Sequence, residues 1–283
     1  MRRLNLCIET QDTACVLNDG KEILRLSGIY DSVIFMYYEF LGTEIEDTLK
    51  LGLPETARPL RSYAVHIAKN AKTPFGALAV WDRLRALGLA DEATASRISQ
   101  HLVENGEPAA AWRVWRQSLA GMEPGLDRAS LLTNGEFKRN SAPSPFDWAI
   151  RPQQGVTFLR HGGLQVLFHG ETNLSLNNVS QLTYIRHAHH RLVVEVSHEG
   201  LTTNQGPFIS LVDAEDPSRL SLRTESFHGA SPRRRVVLEF KAPRGTRLVR
   251  IQLERTPSEK FDNKIAGALH LHRIALTETA PAR

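Results

Sequence analysis

The sequence has little of what marks secreted disulfide-rich, membrane-spanning or disordered proteins. Its 283 residues include two cysteines, Cys7 and Cys15, which are too few for a disulfide framework. No apolar run reaches the roughly 18 residues of a membrane helix. The opening residues also lack the apolar stretch of a signal peptide. At 23% charged residues the chain has an ordinary globular composition. We therefore predict a folded chain with no membrane span and no export signal.

Positive charge is only slightly in excess. The net charge is +4 and the isoelectric point is about 9.2. The one dense basic run is Arg233, Arg234 and Arg235, directly after Pro232. Proteins that bind nucleic acid usually gather Lys and Arg on one face. We therefore interpret this run as a solvated hairpin tip and expect no nucleic-acid partner.

Common catalytic signatures are missing from the sequence. It contains no Gly-x-Ser-x-Gly elbow, no Gly-x-x-x-x-Gly-Lys phosphate loop and no His-Glu-x-x-His pair. A glycosidase needs two placed carboxylates, and the spacing of Glu195, Asp213 and Glu239 singles out no pair. We therefore expect a protein that is not an enzyme.

Residues 51–121 have a helical pattern that repeats. Apolar side chains at 78, 81, 84 and 87 recur every three positions, which places them on one face of a helix. The same offset of 34 residues separates three pairs of residues: Pro74 and Pro108, Ala77 and Ala111, and Trp81 and Trp115. This period predicts two consecutive helical hairpins.

A 34-residue period is the length of the tetratricopeptide helix–turn–helix unit. Small Ala77 and Ala111 let two helices approach closely, and Trp81 and Trp115, one turn further on, fill the gap between them. Residues 58–121 therefore resemble tetratricopeptide repeats, although the tryptophan of the family's first helix is not kept. The sequence favours a packing role for the repeated tryptophans, and the resemblance implies a protein partner.

The pattern changes after the Glu-Pro-Gly linker signal at 123–125. Val236, Leu238 and Phe240 alternate with Val237, Glu239 and Lys241, and residues 192–197, 249–254 and 269–272 alternate in the same way. Clusters of Gly and Pro separate these runs. Several short alternating runs with turn signals between them predict an all-β sandwich or barrel.

Within this β region, short sequences occur in a familiar order. They are NGEF at 134–137, SPFDW at 144–148, RLVVEV at 191–196, QGPF at 205–208 and GALHLHRIAL at 267–276. The order resembles galactose-binding-like jelly rolls, above all bacterial carbohydrate-binding modules of the cellulose- and xylan-binding type, over about half of the chain. The resemblance implies a jelly roll and a polysaccharide or glycan ligand. Joined to tetratricopeptide-like repeats, it also implies a place in bacterial exopolysaccharide assembly or export, in the periplasm or cell envelope.

The sequence departs from that family at its structural calcium site. The resemblance implies aspartates in the last strand, where this chain has His270 and His272. Calcium prefers six to eight oxygen ligands, so imidazole is a poor replacement. Glu136 is left as a candidate calcium ligand, and we expect no required cofactor.

The residues that could contact a glycan are few because the region has one tryptophan, Trp148, which we expect in the core. We therefore predict a binding face formed by Tyr184 with nearby histidines and arginines: Tyr184, His187, His189, Arg191, His270 and His272. The same histidines allow an alternative. In a strand, positions i and i+2 share a face, so His187 with His189, or His270 with His272, could chelate a metal in a cupin-like enzyme.

We thus predict a multi-domain α + β chain. Residues 1–29 form a poorly defined N-terminal tail, 30–122 form α-helical hairpin repeats, and 128–279 form an all-β jelly-roll sandwich. The favoured function is a non-catalytic binding or scaffold protein, with the repeats for protein–protein interaction and the sandwich for glycan. The alternatives are a purely structural interaction protein whose sandwich no longer binds sugar, and the metal-dependent enzyme.

Overall fold

A computed structural model describes residues 2–70, 75–120, 129–261 and 263–280. The chain divides into two compact units, Met1–Met122 and Glu123–Arg283. The first unit is helical and the second contains two antiparallel sheets. The predicted α + β architecture is thereby confirmed. Within the described residues, no helix is both long enough and apolar enough to cross a membrane.

The helical unit contains eight α-helices and one π-helical turn, η1, within the described residues. They are α1 (Arg2–Glu9), α2 (Thr13–Leu26), α3 (Asp31–Phe40), α4 (Ile45–Asp47), η1 (Thr48–Gly52), α5 (Ala57–Asn70), α6 (Phe75–Ala86), α7 (Glu92–Glu104) and α8 (Pro108–Leu119). The structure differs from the sequence prediction in residues 1–29, where α1 and α2 replace the poorly defined tail. Asp12 caps α2 by accepting a hydrogen bond from the Cys15 backbone N–H, and Leu4 and Leu24 are fully buried.

Neighbouring helices in the repeat region pack as two hairpins, α5 with α6 and α7 with α8, and α5 also packs on α7. The four repeat positions, Ala77, Trp81, Ala111 and Trp115, are all fully buried. The Trp81 indole N–H donates to the Gln117 side-chain oxygen at 3.0 Å. Pro108 begins α8, whereas its repeat partner Pro74 lies outside the described residues.

The β unit has ten strands in two five-stranded sheets. They are β1 (Ala149–Ile150), β2 (Val156–Arg160), β3 (Leu164–His169), β4 (Leu176–Tyr184), β5 (His189–Leu201), β6 (Phe208–Asp213), β7 (Ser221–Arg223), β8 (Gly229–Lys241), β9 (Leu248–Arg255) and β10 (Ala266–Thr279). We name the sheet with strand order β2-β3-β10-β5-β8 sheet A, and the sheet with order β1-β4-β9-β6-β7 sheet B. All strand pairs are antiparallel.

Alternation along the strands gives both sheets one apolar face. Leu192, Val194 and Val196 of β5, for example, join a single buried cluster with Val249 and Ile251 of β9. Because successive side chains point to opposite faces, every second residue of these strands faces away from this cluster. The two sheets therefore form a sandwich with a shared core and two outer faces.

One region of the sandwich is held together by a buried arginine. Arg255, which ends β9, is 2% exposed, and its guanidinium donates to the carbonyl oxygens of Gln205, Leu174 and Asn263 and to the Asn173 side-chain oxygen. No carboxylate within the described residues pairs with it, and burial lowers its pKa. A single cation thus joins three loops through their oxygen atoms.

Candidate binding surface

The outer face of sheet A carries polar and charged side chains on several adjacent strands. On β5, positions 191, 193, 195 and 197 point away from the core, since 192, 194 and 196 lie in it. The same alternation places 165 and 167 of β3 and 235, 237 and 239 of β8 on this face. In β10 a bulge between Leu271 and Arg273 shifts the register, so that 270, 272, 273, 275 and 277 face outward while 269, 271, 274 and 276 lie in the core.

Strand register aligns the polar residues of this face in two adjacent rows. In the first row, His270 of β10 lies opposite Gln165 on one side and Ser197 on the other. In the second row, Glu195 lies between Arg273 of β10 and Arg235 of β8. Neighbouring strands are about 4.8 Å apart, so the first row crosses three strands in about 10 Å.

Glu195, in the middle of the second row, is held by two arginines of β8. Its carboxylate accepts from Arg233 through one oxygen and from the Arg235 Nε at 3.1 Å through the other. The Glu195 side chain is 8% exposed, whereas those of Arg233 and Arg235 are 59% and 72% exposed. Hydrogen bonding from Arg233, with the charges of both arginines, lowers the pKa of Glu195. A nearly buried anion therefore positions two cations whose other N–H groups face solvent.

His270 and His272 lie together beside Glu195. Their ring centroids are 3.9 Å apart, and the His272 Nε2 is 2.9 Å from the Ser197 hydroxyl oxygen. Desolvation, with the proximity of His270 and Arg233, lowers the pKa of His272. The His270 Nε2 is buried and has no hydrogen-bond partner among the described residues.

The turn between β2 and β3 closes over the histidines. Gly163 has φ of +139°, and a Cβ there would lie 2.4 Å from the Leu271 carbonyl oxygen and 2.9 Å from the His270 Nε2. Only glycine fits both the backbone conformation and this close approach. The turn therefore borders the outer face of sheet A at its His270 end.

A second feature lies at the start of β5. Two histidines near this point lie within hydrogen-bond distance of backbone oxygens. The His187 Nδ1, just before the strand, is 2.6 Å from the Ala242 oxygen, and the His190 Nε2 is 2.9 Å from the Arg186 oxygen. The surface here forms an open depression of about 710 Å³, lined by Arg186, His187, Ala188, His189, Lys241, Glu278, Thr279 and Ala280. It is wide and open to solvent, with mixed charge.

The structure divides the predicted glycan-contact residues among three places. His270, His272 and Arg191 lie on the outer face of sheet A, where Arg191 pairs with Glu239 at 3.0 Å. His187 and His189 line the open depression. Tyr184 alternates with buried Thr183 and lies on the outer face of sheet B, opposite Leu248.

Sequence reasoning missed the centre of this surface. The prediction of a hairpin tip at Arg233, Arg234 and Arg235 is wrong, because all three lie within β8. Pro232 also lies within β8, where a missing N–H is tolerated because β8 is an edge strand. The alternating pattern of the sequence could have shown that Arg233 and Arg235 share one face of a strand. Their contact with Glu195, however, depends on the pairing of β5 with β8.

Among the described residues, no third ligand joins either predicted histidine pair. His187 precedes β5, so it does not share a strand face with His189. In the described part of the chain, one group places three candidate ligand residues within 4.8 Å of one another, and it is Cys7, Cys15 and Asp19. Cys7 and Cys15 form a disulfide that links α1 to α2. Glu136, the candidate calcium ligand, pairs with Lys138.

Comparison with known proteins gives similarities of fold alone. No protein-family model matches the chain, and no curated protein matches it significantly. Similar solved structures include one described as "CBM4 structure and function", 12% identical with a TM-score of 0.38 over 52% of this chain and 99% of its own. TmCBM61, solved with beta-1,4-galactotriose, is 14% identical with a TM-score of 0.35, covering 53% of this chain and 99% of its own.

A third similar structure is the enzymatically active domain of bacteriophage CBA120 tailspike protein 4. It is 11% identical with a TM-score of 0.34, over 53% of this chain and 22% of that one. All three TM-scores are below 0.5, so these likenesses carry no functional argument. What the chain does must be inferred from its own surfaces.

Proposed function

We propose that the β unit is a non-catalytic glycan-binding module whose binding surface is the outer face of sheet A. The observation that carries the proposal is the pair of polar rows built around His270 and Glu195. Sugar hydroxyls need both donors and acceptors, and these rows supply an amide, a hydroxyl, an imidazole, a carboxylate and guanidinium groups. The resemblance of the sequence to carbohydrate-binding modules agrees with this choice.

The ion pairs on this surface favour a binding function over a catalytic one. Glu195 is held by two arginines, and its pKa is lowered, so it stays ionised and is a poor general acid. Glu239, the carboxylate further along the same face, pairs with Arg191. Both carboxylates are thus occupied in ion pairs, and the lowered pKa of Glu195 is the opposite of what a glycosidase acid needs.

For the helical unit we propose a scaffold role of the tetratricopeptide type. The fully buried Ala77, Trp81, Ala111 and Trp115 and the packing of α5 on α7 support this proposal. A protein partner through these helices, and a setting in bacterial polysaccharide assembly at the cell envelope, follow from the sequence resemblance alone.

The test is a glycan microarray with the full chain and two single variants. Gln165→Ala removes an amide from the outer face of sheet A, whereas Tyr184→Ala removes an aromatic from sheet B. We expect saturable binding by the full chain, weakened several-fold by Gln165→Ala and unchanged by Tyr184→Ala. Loss with Tyr184→Ala alone would move the site to sheet B.

A blank array from a folded chain would refute glycan binding. Circular dichroism of the same samples shows whether each variant keeps its helix and strand content, so a loss of binding can be separated from a loss of fold. With a blank array, the purely structural alternative would stand, with its function in the helices.

A further inference from the structure

We infer that the ligand of this surface is an acidic polysaccharide, whose carboxylate or other anionic groups contact Arg233 and Arg235. The inference rests on the proposed function and names its substrate class. The outward positions of the sheet A strands carry more basic than acidic side chains. The basic ones are Arg191, Arg233, Arg235, Lys241 and Arg273, and the acidic ones are Glu195, Glu199 and Glu239.

The arrangement of these charges leaves an anion-binding group at one place. Glu195 balances one of its two arginines, so the cluster of Glu195, Arg233 and Arg235 carries a net positive charge. Each arginine uses a single nitrogen on Glu195, and both side chains are well exposed. A guanidinium that is fixed at one edge and free at the other is suited to bind a carboxylate.

The lack of aromatic residues disfavours a neutral ligand. Neutral sugars are commonly bound by stacking on flat aromatic side chains, and none of the outward positions in the described strands of sheet A is Phe, Tyr or Trp. The apolar positions on this face are aliphatic, such as Val193, Val237 and Leu167. Without stacking, most of the affinity must come from charge and hydrogen bonds.

The carboxylates on the face favour a polysaccharide over nucleic acid. A nucleic-acid backbone carries a charge at every phosphate, so Glu195, Glu199 and Glu239 would repel it along the same surface. An acidic polysaccharide alternates anionic groups with hydroxyls, and hydroxyls donate well to carboxylates. The mixed charge of the rows therefore matches a chain of mixed polar groups.

The test compares matched acidic and neutral polysaccharides on the full chain. Polygalacturonate, alginate and hyaluronan are each titrated beside their carboxyl-reduced forms, which keep the sugar backbone and lose the charge. We expect binding to at least one acidic form, at least tenfold weaker binding to its reduced form, and weakening by added salt. Arg235→Gln should weaken the acidic form about tenfold, since it removes charged hydrogen bonds.

Arg250→Gln is the matched control, because Arg250 is exposed on the outer face of sheet B and the change in net charge is identical. Equal loss in both variants would mean attraction to overall charge and would overturn the inference. Equal or tighter binding to the neutral forms would overturn it while leaving glycan binding intact. No binding to any polysaccharide would refute the proposed function itself. Tighter binding to a short single-stranded DNA would replace the polysaccharide by nucleic acid.

Discussion

Replacing the buried Arg255 by methionine should strongly destabilise the β unit. Methionine keeps much of the length and apolar volume of the arginine stem but none of its donors. The change leaves the carbonyl oxygens of Leu174, Gln205 and Asn263 without the guanidinium. Asn173 keeps one partner, because its side-chain oxygen also accepts from the Ser258 backbone N–H at 2.9 Å.

The expected loss of stability follows from the three carbonyl oxygens that lose their donor. A buried acceptor that loses its donor costs about 1–3 kcal/mol, and removing the buried charge returns part of its desolvation cost. We therefore expect the free energy of unfolding of the β unit to fall by about 4 kcal/mol. Arg255→Lys, which keeps the charge but cannot reach all the oxygens at once, should cost less.

Hydrogen exchange of the full chain, read by mass spectrometry on peptides from β5, β9 and β10, measures this loss in the β unit alone. Tryptophan fluorescence would mix the two units, because Trp81, Trp112 and Trp115 lie in the helices and Trp148 in the sandwich. Arg250→Met, on the same strand but exposed, is the control and should change stability by less than about 0.5 kcal/mol. A loss below about 1 kcal/mol for Arg255→Met, or one equal to that of Arg250→Met, would refute the reasoning.

Four further changes have definite expected outcomes. Glu195→Gln should lower the stability of the β unit at neutral pH by only about 1 kcal/mol, because the arginines that pair with Glu195 are largely exposed. Urea unfolding should show this difference shrink as the pH falls below the ordinary Glu pKa of 4.5 and vanish below the lowered pKa of the folded state. His272 has a pKa below its ordinary 6.5, so its contribution to stability is complete above pH 6.5 and is lost as the pH falls through the lowered pKa. The melting temperature of His272→Gln should therefore change less with pH than that of the unmodified protein. Gly163→Ala should cost more than 1 kcal/mol through its clash with a backbone oxygen, seen as a lower melting temperature. Trp81→Ala should lower the free energy of unfolding of the helical unit by about 4 kcal/mol, measured by far-ultraviolet circular dichroism during denaturation. Replacing the half-buried Trp112 by alanine should lower it less.

Periodicity made the two-part architecture predictable. The 34-residue offset located the paired helices, and the buried Trp81 and Trp115 occupy the positions that it marked. Alternation located β5, β8, β9 and β10 because each has one apolar face. Both signals depend on residues close together in the sequence, so they can be read without knowing the tertiary structure. Helices α1 and α2 were not predicted, because residues 1–29 were interpreted as a tail.

The candidate surface was harder to predict because it depends on strand pairing. Alternation shows which residues share a face of one strand, but not which sheet the strand joins. Tyr184 and His270 were therefore grouped in the sequence, although β4 belongs to sheet B and β10 to sheet A. Likewise, Glu195 meets Arg235 only through the pairing of β5 with β8, 40 residues apart. Such contacts carry no short-range signal.

The most direct test of the proposed binding surface is hydroxyl-radical footprinting of the full chain with and without the polysaccharide that binds it most tightly. Reactive side chains lie on both outer faces: His270, His272 and Val237 on sheet A, and Leu182 and Tyr184 on sheet B. We predict that the polysaccharide protects the sheet A residues and leaves the sheet B residues unchanged. Protection of Leu182 and Tyr184 alone, or no protection on either face, would contradict the account.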